Sequence, residues 1–342
     1  MISRLIDYRV LIVDADEKMA RVLKQTLRKM GFSDIHLTKD GKDAINLLQT
    51  INFDFVITEW DTKQMNGLEM LKFIRRNPQS PNPTIPVIML TGRTEVADVL
   101  LARNYGVNEY MIKPFTAQSI YKRLEKIFES PRDFVVSENF VGPDRRTIEN
   151  DNKPTKERRK LNKRDFNKKI NPKEIKKALS AENKEPKIWP PDFSLKVKLG
   201  KNVTLGNLIT KGVLSNAQKA IDAITDDSLL WIRENIDELK IFYNDLTSIP
   251  NAEKTIKNIS DTALIIKSRS GTFGYNRAKE IAYELYMFSK NVLNPENKKH
   301  LLVVKKHIEV LQVILGHQLK GNAGESGAQI ADELKKLVKK YA

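Results

Sequence analysis

The hydrophobic pattern of this chain changes period along its length. Over the first 130 residues, short β-branched runs alternate with amphipathic stretches, predicting strands at 9–13, 34–37, 53–58, 87–90 and 109–112. Between them, apolar residues recur at helical spacing over 18–30, 42–50, 67–76, 95–105 and 118–129. Five β/α repeats predict an α/β domain with a doubly wound, five-stranded parallel sheet and helices on both faces. In such sheets, ligands gather outside the carboxyl ends of the strands. Asp14, Glu59, Thr91 and Lys113 all fall at those ends.

Beyond residue 130 the alternation fades. The stretch 131–201 has low apolar density, several prolines and unbalanced charge, which predicts a basic tether without a packed core, with one short helix at 172–179. From 202 to 342 the pattern is helical throughout, with helices expected at 204–224, 228–247, 252–270, 276–290, 296–315 and 327–341. Leu301, Val304, Ile308, Leu311 and Leu315 form one such stripe, the apolar face of a separate all-α bundle. The expected organisation is therefore 1–130, 131–201 and 202–342.

Composition narrows the chemistry. The 342 residues contain no cysteine, which removes disulfides, thiolate zinc sites and cysteine nucleophiles together. Of four histidines, His300 and His307 share a helix face, but without a carboxylate cluster they read as solvated or partly packed side chains. No apolar run reaches the length of a membrane span and no signal-peptide core is present, so a cytoplasmic location away from membranes is expected. The net charge is +16, and its distribution is uneven: residues 145–201 hold 19 Lys and Arg against 8 Asp and Glu.

Four motifs in the first domain carry a family resemblance. VLIVDADEKM (10–19), FDFVITEWDTKQMNG (53–67), VIMLTG (87–92) and EYMIKPF (109–115) resemble, in order and spacing, the receiver domain of bacterial response regulators. The resemblance implies a flavodoxin-like fold, with Asp14 and Ala15 at the acidic corner and Glu59 at the phosphoacceptor position. It further implies Thr91 and Lys113 as phosphate-sensing residues, Tyr110 as the switch aromatic, and the backbone carbonyl of Asp61 as a Mg²⁺ ligand.

Two of these positions depart from the family pattern. Ala15 brings a methyl group where the family supplies a metal ligand, so any Mg²⁺ site on Asp14 and the Asp61 carbonyl is weakened, and no cofactor is expected. Asp16 either swings in as a substitute ligand or caps the following helix. Glu59 is one methylene longer than aspartate, which displaces its oxygen by over about an ångström in a reaction that depends on in-line positioning. Phosphoryl transfer should fail or be very slow. Two outcomes then stand beside each other: Glu59 pairs with Lys113 and fixes Thr91 and Tyr110 in an active-like arrangement, or it makes only a structural salt bridge.

A second resemblance lies in DTALIIKSRSGTFGY (261–275), which is similar to the active helix of histidine phosphotransfer (HPt) domains. Aligning Lys267 with that family's lysine puts Leu264 where the phosphorylated histidine belongs, with Gly271 at the glycine-rich end. Helical spacing places Ala252, Ile256, Ile259, Ala263 and Ile266 on a buried stripe and Ser260, Leu264, Lys267 and Gly271 on a more polar face. Leucine offers no nucleophile. Leu264 either packs against a neighbouring helix or retains a docking surface for a receiver or kinase.

These readings predict a non-enzymatic two-component signalling protein, a pseudo-response regulator that works by binding kinase, receiver or phosphotransfer partners. A nucleic-acid regulator is the alternative, using KERRKLNKR (156–164) to neutralise phosphates. Residual phosphoacceptor activity, at Glu59 or at Asp61, is a third.

Overall fold

In a computed structural model, residues 4–62, 64–146, 170–180, 186–225, 228–248, 252–317, 319, 321 and 324–341 are described. They fall into two compact units, 1–221 and 222–342. The first unit is built on five parallel strands, β1 (Arg9–Val13), β2 (Asp34–Thr38), β3 (Phe55–Thr58), β4 (Val87–Thr91) and β5 (Glu109–Ile112), in the order β2-β1-β3-β4-β5. Helices α1 (Glu17–Met30), α2 (Gly41–Thr50), α3 (Gly67–Arg76), α4 (Val96–Asn104) and α5 (Ala117–Glu129) alternate with them. This is the flavodoxin-like architecture that the β/α repeats predict.

The central strands β1, β3 and β4 are almost wholly buried because both of their faces are covered. On one face Leu11, Val13, Val56, Val87 and Met89 pack with Ala44, Leu48, Met70, Leu71 and Ile74. On the other, Tyr8, Phe32, Phe55 and Phe128 meet in edge and tilted contacts at centroid distances of 5.1–6.2 Å. The helix ends are equally local in origin. Asp16, Asp40, Asn66 and Thr116 each accept backbone N–H bonds as N-caps of α1, α2, α3 and α5.

The tether expected over 131–201 is corrected where the chain is described. Strands β6 (Phe134–Val136), β7 (Val141–Pro143) and β8 (Lys187–Trp189) form an antiparallel sheet in the order β7-β6-β8. Helix α6 (Pro172–Leu179) packs Ile175 on it, beside Phe134, Val136, Val141 and Ile170. The element is joined to the main sheet by two arginines. Arg75 is wholly buried and donates to the carbonyls of Gly106, Pro83 and Ile85 and to Oδ1 of Asn108 at 2.7–2.9 Å, with Phe134 against its guanidinium. Arg132 donates to the carbonyls of Val107, Asn108 and Asp144. Gly142 (φ +153°) lies so near Gly106 that a Cβ there would sit 2.5 Å from the Gly106 Cα. Three-residue strands paired across 50 residues leave too short an alternation to read as strands. The basic run 156–164 lies outside the described residues.

The single helix expected over 204–224 is interrupted. After α7 (Ser194–Leu199), helices α8 (Leu205–Leu208) and α9 (Lys211–Thr225) replace it, with Ile209 in a non-helical conformation between those two. The boundary between compact units falls after Ile221, 20 residues later than the expected 201. The second unit contains α10 (Ser228–Ser248), α11 (Ala252–Thr272), α12 (Asn276–Asn291), α13 (Lys298–Gly316) and α14 (Gly324–Tyr341). Its core gathers Ile236, Leu239, Ile259, Ala263, Ile266, Ala282, Leu285, Val304, Ile308 and Leu311. His307, read from sequence as at most partly packed, is completely buried, its Nδ1 2.8 Å from the Val303 carbonyl. No helix among the described residues is long and apolar enough to cross a membrane.

Candidate functional site

Backbone hydrogen bonds continue the sheet one residue past its strands and so fix the three ionisable residues at its carboxyl end. The N–H of Asp14 donates to Thr38, that of Glu59 to Val13 and that of Lys113 to Thr91, at 2.8–3.0 Å. The turn after β3 is closed by Gly67, whose Cα approaches so tightly that an added Cβ would fall 2.1 Å from the Glu59 carbonyl oxygen. The Lys113–Pro114 peptide is cis.

The side chains converge from these anchors. Lys113 Nζ lies 2.8 Å from Asp14 Oδ2 and 2.7 Å from Glu59 Oε2, with all three residues buried. Asp14 also accepts a hydrogen bond from Lys113, whereas the Glu59 Oε2 contact is an ion pair outside hydrogen-bond angles. Glu59 Oε1 accepts from the backbone N–H of Trp60 at 2.7 Å and lies 3.4 Å from that of Asp61. Two carboxylates thus share one ammonium in a site removed from water.

The electrostatics follow. Burial pushes the Asp14 carboxyl up to about 6; Lys113 opposes this, and the negative charges of Glu59 and Asp16 add to it. Burial also works against the charge on Lys113, but Asp14 and Glu59 together outweigh it and hold the ammonium above its ordinary value. Lys113 therefore stays charged.

The remaining corner of the site does not fit a Mg²⁺ ion. Ala15 supplies no donor, and Asp16 is turned away as the cap of α1, its Oδ1 accepting from the N–H groups of Lys18 and Met19. Both Asp14 oxygens are engaged, Oδ1 by the Asp16 N–H at 2.9 Å and Oδ2 by Lys113. The Asp61 carboxylate is held by Arg93, with Nη2 2.7 Å from Oδ1 and Nε at 3.2–3.3 Å from both oxygens. Octahedral coordination needs oxygens free to face the ion, and here the carboxylates of this corner are committed elsewhere.

Arg93 is the residue that sequence reading missed. It stacks 4.9 Å above the Trp60 ring, pairs with Asp61 and reaches Asp98 at 3.5 Å, bridging the loops after β3 and β4. Its position two residues after Thr91, facing an acidic residue two after Glu59, was the available signal.

Comparison with known proteins agrees with this geometry. The family profile "Response regulator receiver domain" matches residues 10–125. The chemotaxis protein CheY of Pseudomonas aeruginosa is 37% identical over 121 residues, which cover 35% of this chain and 96% of that protein. CheY-3 of Vibrio cholerae is 38% identical over the same length, covering 92% of that protein. The chain belongs to the response regulator receiver family. A solved structure, the chemotaxis response regulator CheY4 of Vibrio cholerae, is 26% identical, covering 35% of this chain and 97% of that one, with a TM-score of 0.32.

Within the receiver, Thr91 and Tyr110, the residues expected to sense phosphate and to switch, are placed as follows. Thr91 is fully buried and its Oγ1 accepts from the Arg93 N–H at 3.3 Å. Tyr110 is half-buried, pairs with Met89 across the sheet at the edge of the core, and donates its hydroxyl proton to the Arg93 carbonyl at 3.0 Å. Burial raises its phenol above the usual value. Glu59 thus meets Lys113 directly, while Thr91 and Tyr110 both meet Arg93.

The second candidate position is not brought to a surface. Leu264 and Lys267, expected on a wet face of α11, are both 7% exposed, as is Ser260. Lys267 Nζ lies 5.0 Å from the Tyr283 ring centre, and Gly271 faces the Lys279 side chain. The helix is covered on the face predicted to be polar as well as on the apolar one, and Thr262 and Arg269, on the far side of the apolar stripe, are buried too.

Proposed function

We propose that this chain is a two-component signalling protein whose receiver is held in one arrangement by an internal ion pair in place of a phosphoryl group, and which acts through protein–protein contacts without enzymatic turnover. The observation that carries this reading is Lys113 Nζ, 2.7 Å from Glu59 and 2.8 Å from Asp14. In a receiver that uses phosphate, a lysine at this place neutralises the phosphoryl oxygens; here a carboxylate on a longer arm already reaches it. Ala15, which offers no donor, and the engaged carboxylate oxygens of Asp14 and Asp16 weaken any site for the metal that phosphoryl transfer needs. The carboxylate is an incomplete substitute, with one charge and two oxygens against nearly two charges and three oxygens.

Other two-component proteins are the partners this reading names. The burial of Leu264 and Lys267 favours a packing role for α11, so no phosphotransfer or docking role is assigned to that helix.

The test is labelling. The chain is incubated with acetyl phosphate and Mg²⁺ and followed by intact mass, beside the double variant Glu59→Asp, Ala15→Asp. The unaltered chain should gain no phosphoryl group and the double variant should gain one. Stoichiometric labelling of the unaltered chain sinks the proposal.

A further inference from the structure

The receiver does not end with α5. Tyr8, fully buried, donates its hydroxyl proton to the Leu195 carbonyl at 2.6 Å. Lys198 pairs with Asp54 at 2.7 Å and lies over the Tyr8 ring. At the carboxyl end of α5, Glu129 takes the buried Lys196 ammonium at 2.6 Å on one oxygen and the Leu205 N–H at 2.9 Å on the other. Leu195, Leu199, Leu205 and Ile209 are buried along this path. At the other end of α5, the N–H of Ala117, a first-turn donor with no partner inside its own helix, donates to Oε1 of Gln218 on α9 at 2.9 Å. Midway, Gly206 sits beside Tyr121, where a Cβ would come within 3.0 Å of the hydroxyl. Residues 194–218 therefore run along one side of α5 and are tied to both of its ends.

Two features make this more than packing. Only Pro114, Phe115 and Thr116 separate Lys113 from Ala117, and Phe115 is buried, so a shift of Lys113 is carried into the first turn of α5. Helix α9, which holds Gln218, continues to Thr225, past the point where the second compact unit begins at Asp222.

We propose that residues 194–218 are the receiver's built-in partner, and that the Ala117–Gln218 contact passes the arrangement of the pocket to α9 within the same chain. The inference rests on the reading above that Glu59 and Lys113 set the pocket's arrangement. It assigns an output surface, the Tyr121 and Glu129 side of α5, and names its occupant. Arg123 and Lys126, on the other side of the helix, pair with Glu109 of β5 and take no part.

The experiment is amide hydrogen exchange on the full-length chain, comparing the unaltered protein with Glu59→Gln, Gln218→Leu and the pair combined. Each single change should speed exchange in α9 by about tenfold, and the combination should add little more, because both act through one contact. Glu59→Gln leaving α9 unchanged overturns the relay, as do two effects that multiply. Should Glu59→Gln unfold the unit, Gln218→Leu decides alone. Exchange at the first turn of α5 must then rise about tenfold with α1 to α3 unaffected, and no rise rejects the proposal. The failures are separable: a chain that labels with phosphate fails the pocket reading, whereas one that neither labels nor changes at α9 fails only the relay. The double variant Gly206→Cys, Tyr121→Cys, in a chain without cysteine, reports occupancy independently through intramolecular cross-linking by a short bismaleimide. Absence of that cross-link also rejects it.

Discussion

Around Glu59 the receiver keeps its ionisable groups facing one another; around Leu264 the bundle draws the polar neighbours into helix packing. Lys113 lies within 2.8 Å of both Asp14 and Glu59 although Ala15 supplies no carboxylate to the corner. Leu264, Lys267 and Ser260 are covered to the same 7% exposure as one another. The contrast comes from backbone anchoring. Strand ends project side chains into a crevice regardless of what those side chains can do, so an altered residue still arrives at the old place. A helix face has no such constraint: burial of a leucine on it stabilises the fold, and nothing keeps it open.

The largest test of that contrast is removal of the shared cation. Lys113→Met leaves two buried carboxylates without a counter-charge, and should lower stability of the first unit by about 3–5 kcal/mol in urea unfolding. A loss under about 1 kcal/mol would mean that the carboxylates are neutralised or rehydrated, and the ion-pair account would then fail. The matching change in the bundle is Leu264→Ala. Burial predicts a cost of about 2–4 kcal/mol, against about half a kcal/mol or less for a leucine exposed for docking.

Acid should drive the two units apart. Asp14 has its carboxyl raised from 3.8 to about 6 in the fold, so its contribution is fully present below 3.8 and is lost as pH rises through 6. His307 runs the other way. Burial lowers its imidazole from 6.5 to about 4, so its contribution is present above 6.5 and is lost as pH falls through 4. Between pH 7 and 5 the first unit should gain and the second lose about 1–2 kcal/mol from these groups. Hydrogen exchange resolved by unit measures both, and Asp14→Asn and His307→Leu should each flatten the response of one unit alone. A shift of both units in the same direction would contradict the assignment.

How much of this was visible beforehand depends on the range of the interaction. The five strands and five helices of the receiver were legible to within two residues or so because each is set by local periodicity and its own cap, as at Asp16 and Asn66. Glu59, Asp14 and Lys113 were legible because strand ends place them. The strands at Phe134–Val136 and Lys187–Trp189 were not, since their pairing is non-local and their alternation spans three residues. Nor was the choice between packing and docking at Leu264, which burial decides for packing. The 3.6-residue period separates two faces of a helix, but it carries no information about how many neighbours will pack around it.

Arg93 gives the smallest and most local test. Its guanidinium stacks on Trp60 and carries the Asp61 carboxylate through three contacts, and both side chains are largely shielded from solvent. A partly exposed pair with one stacking contact is worth about 1 kcal/mol, so Arg93→Ala should change stability by no more than that. Its structural effect should be equally local, although the same residue accepts the Tyr110 hydroxyl through its carbonyl and donates its N–H to Thr91. Those two bonds use backbone atoms and survive the substitution. Trp60 fluorescence should therefore change on losing its cation, while hydrogen exchange around Thr91 and Tyr110 stays as it was. If exchange at β4 and β5 rises with the loss of the guanidinium, the arrangement at Tyr110 depends on the Asp61 contact and not on Glu59 and Lys113. The difference between the receiver pocket and the bundle helix would then lie in a surface latch, and the buried ion pair would be incidental to it.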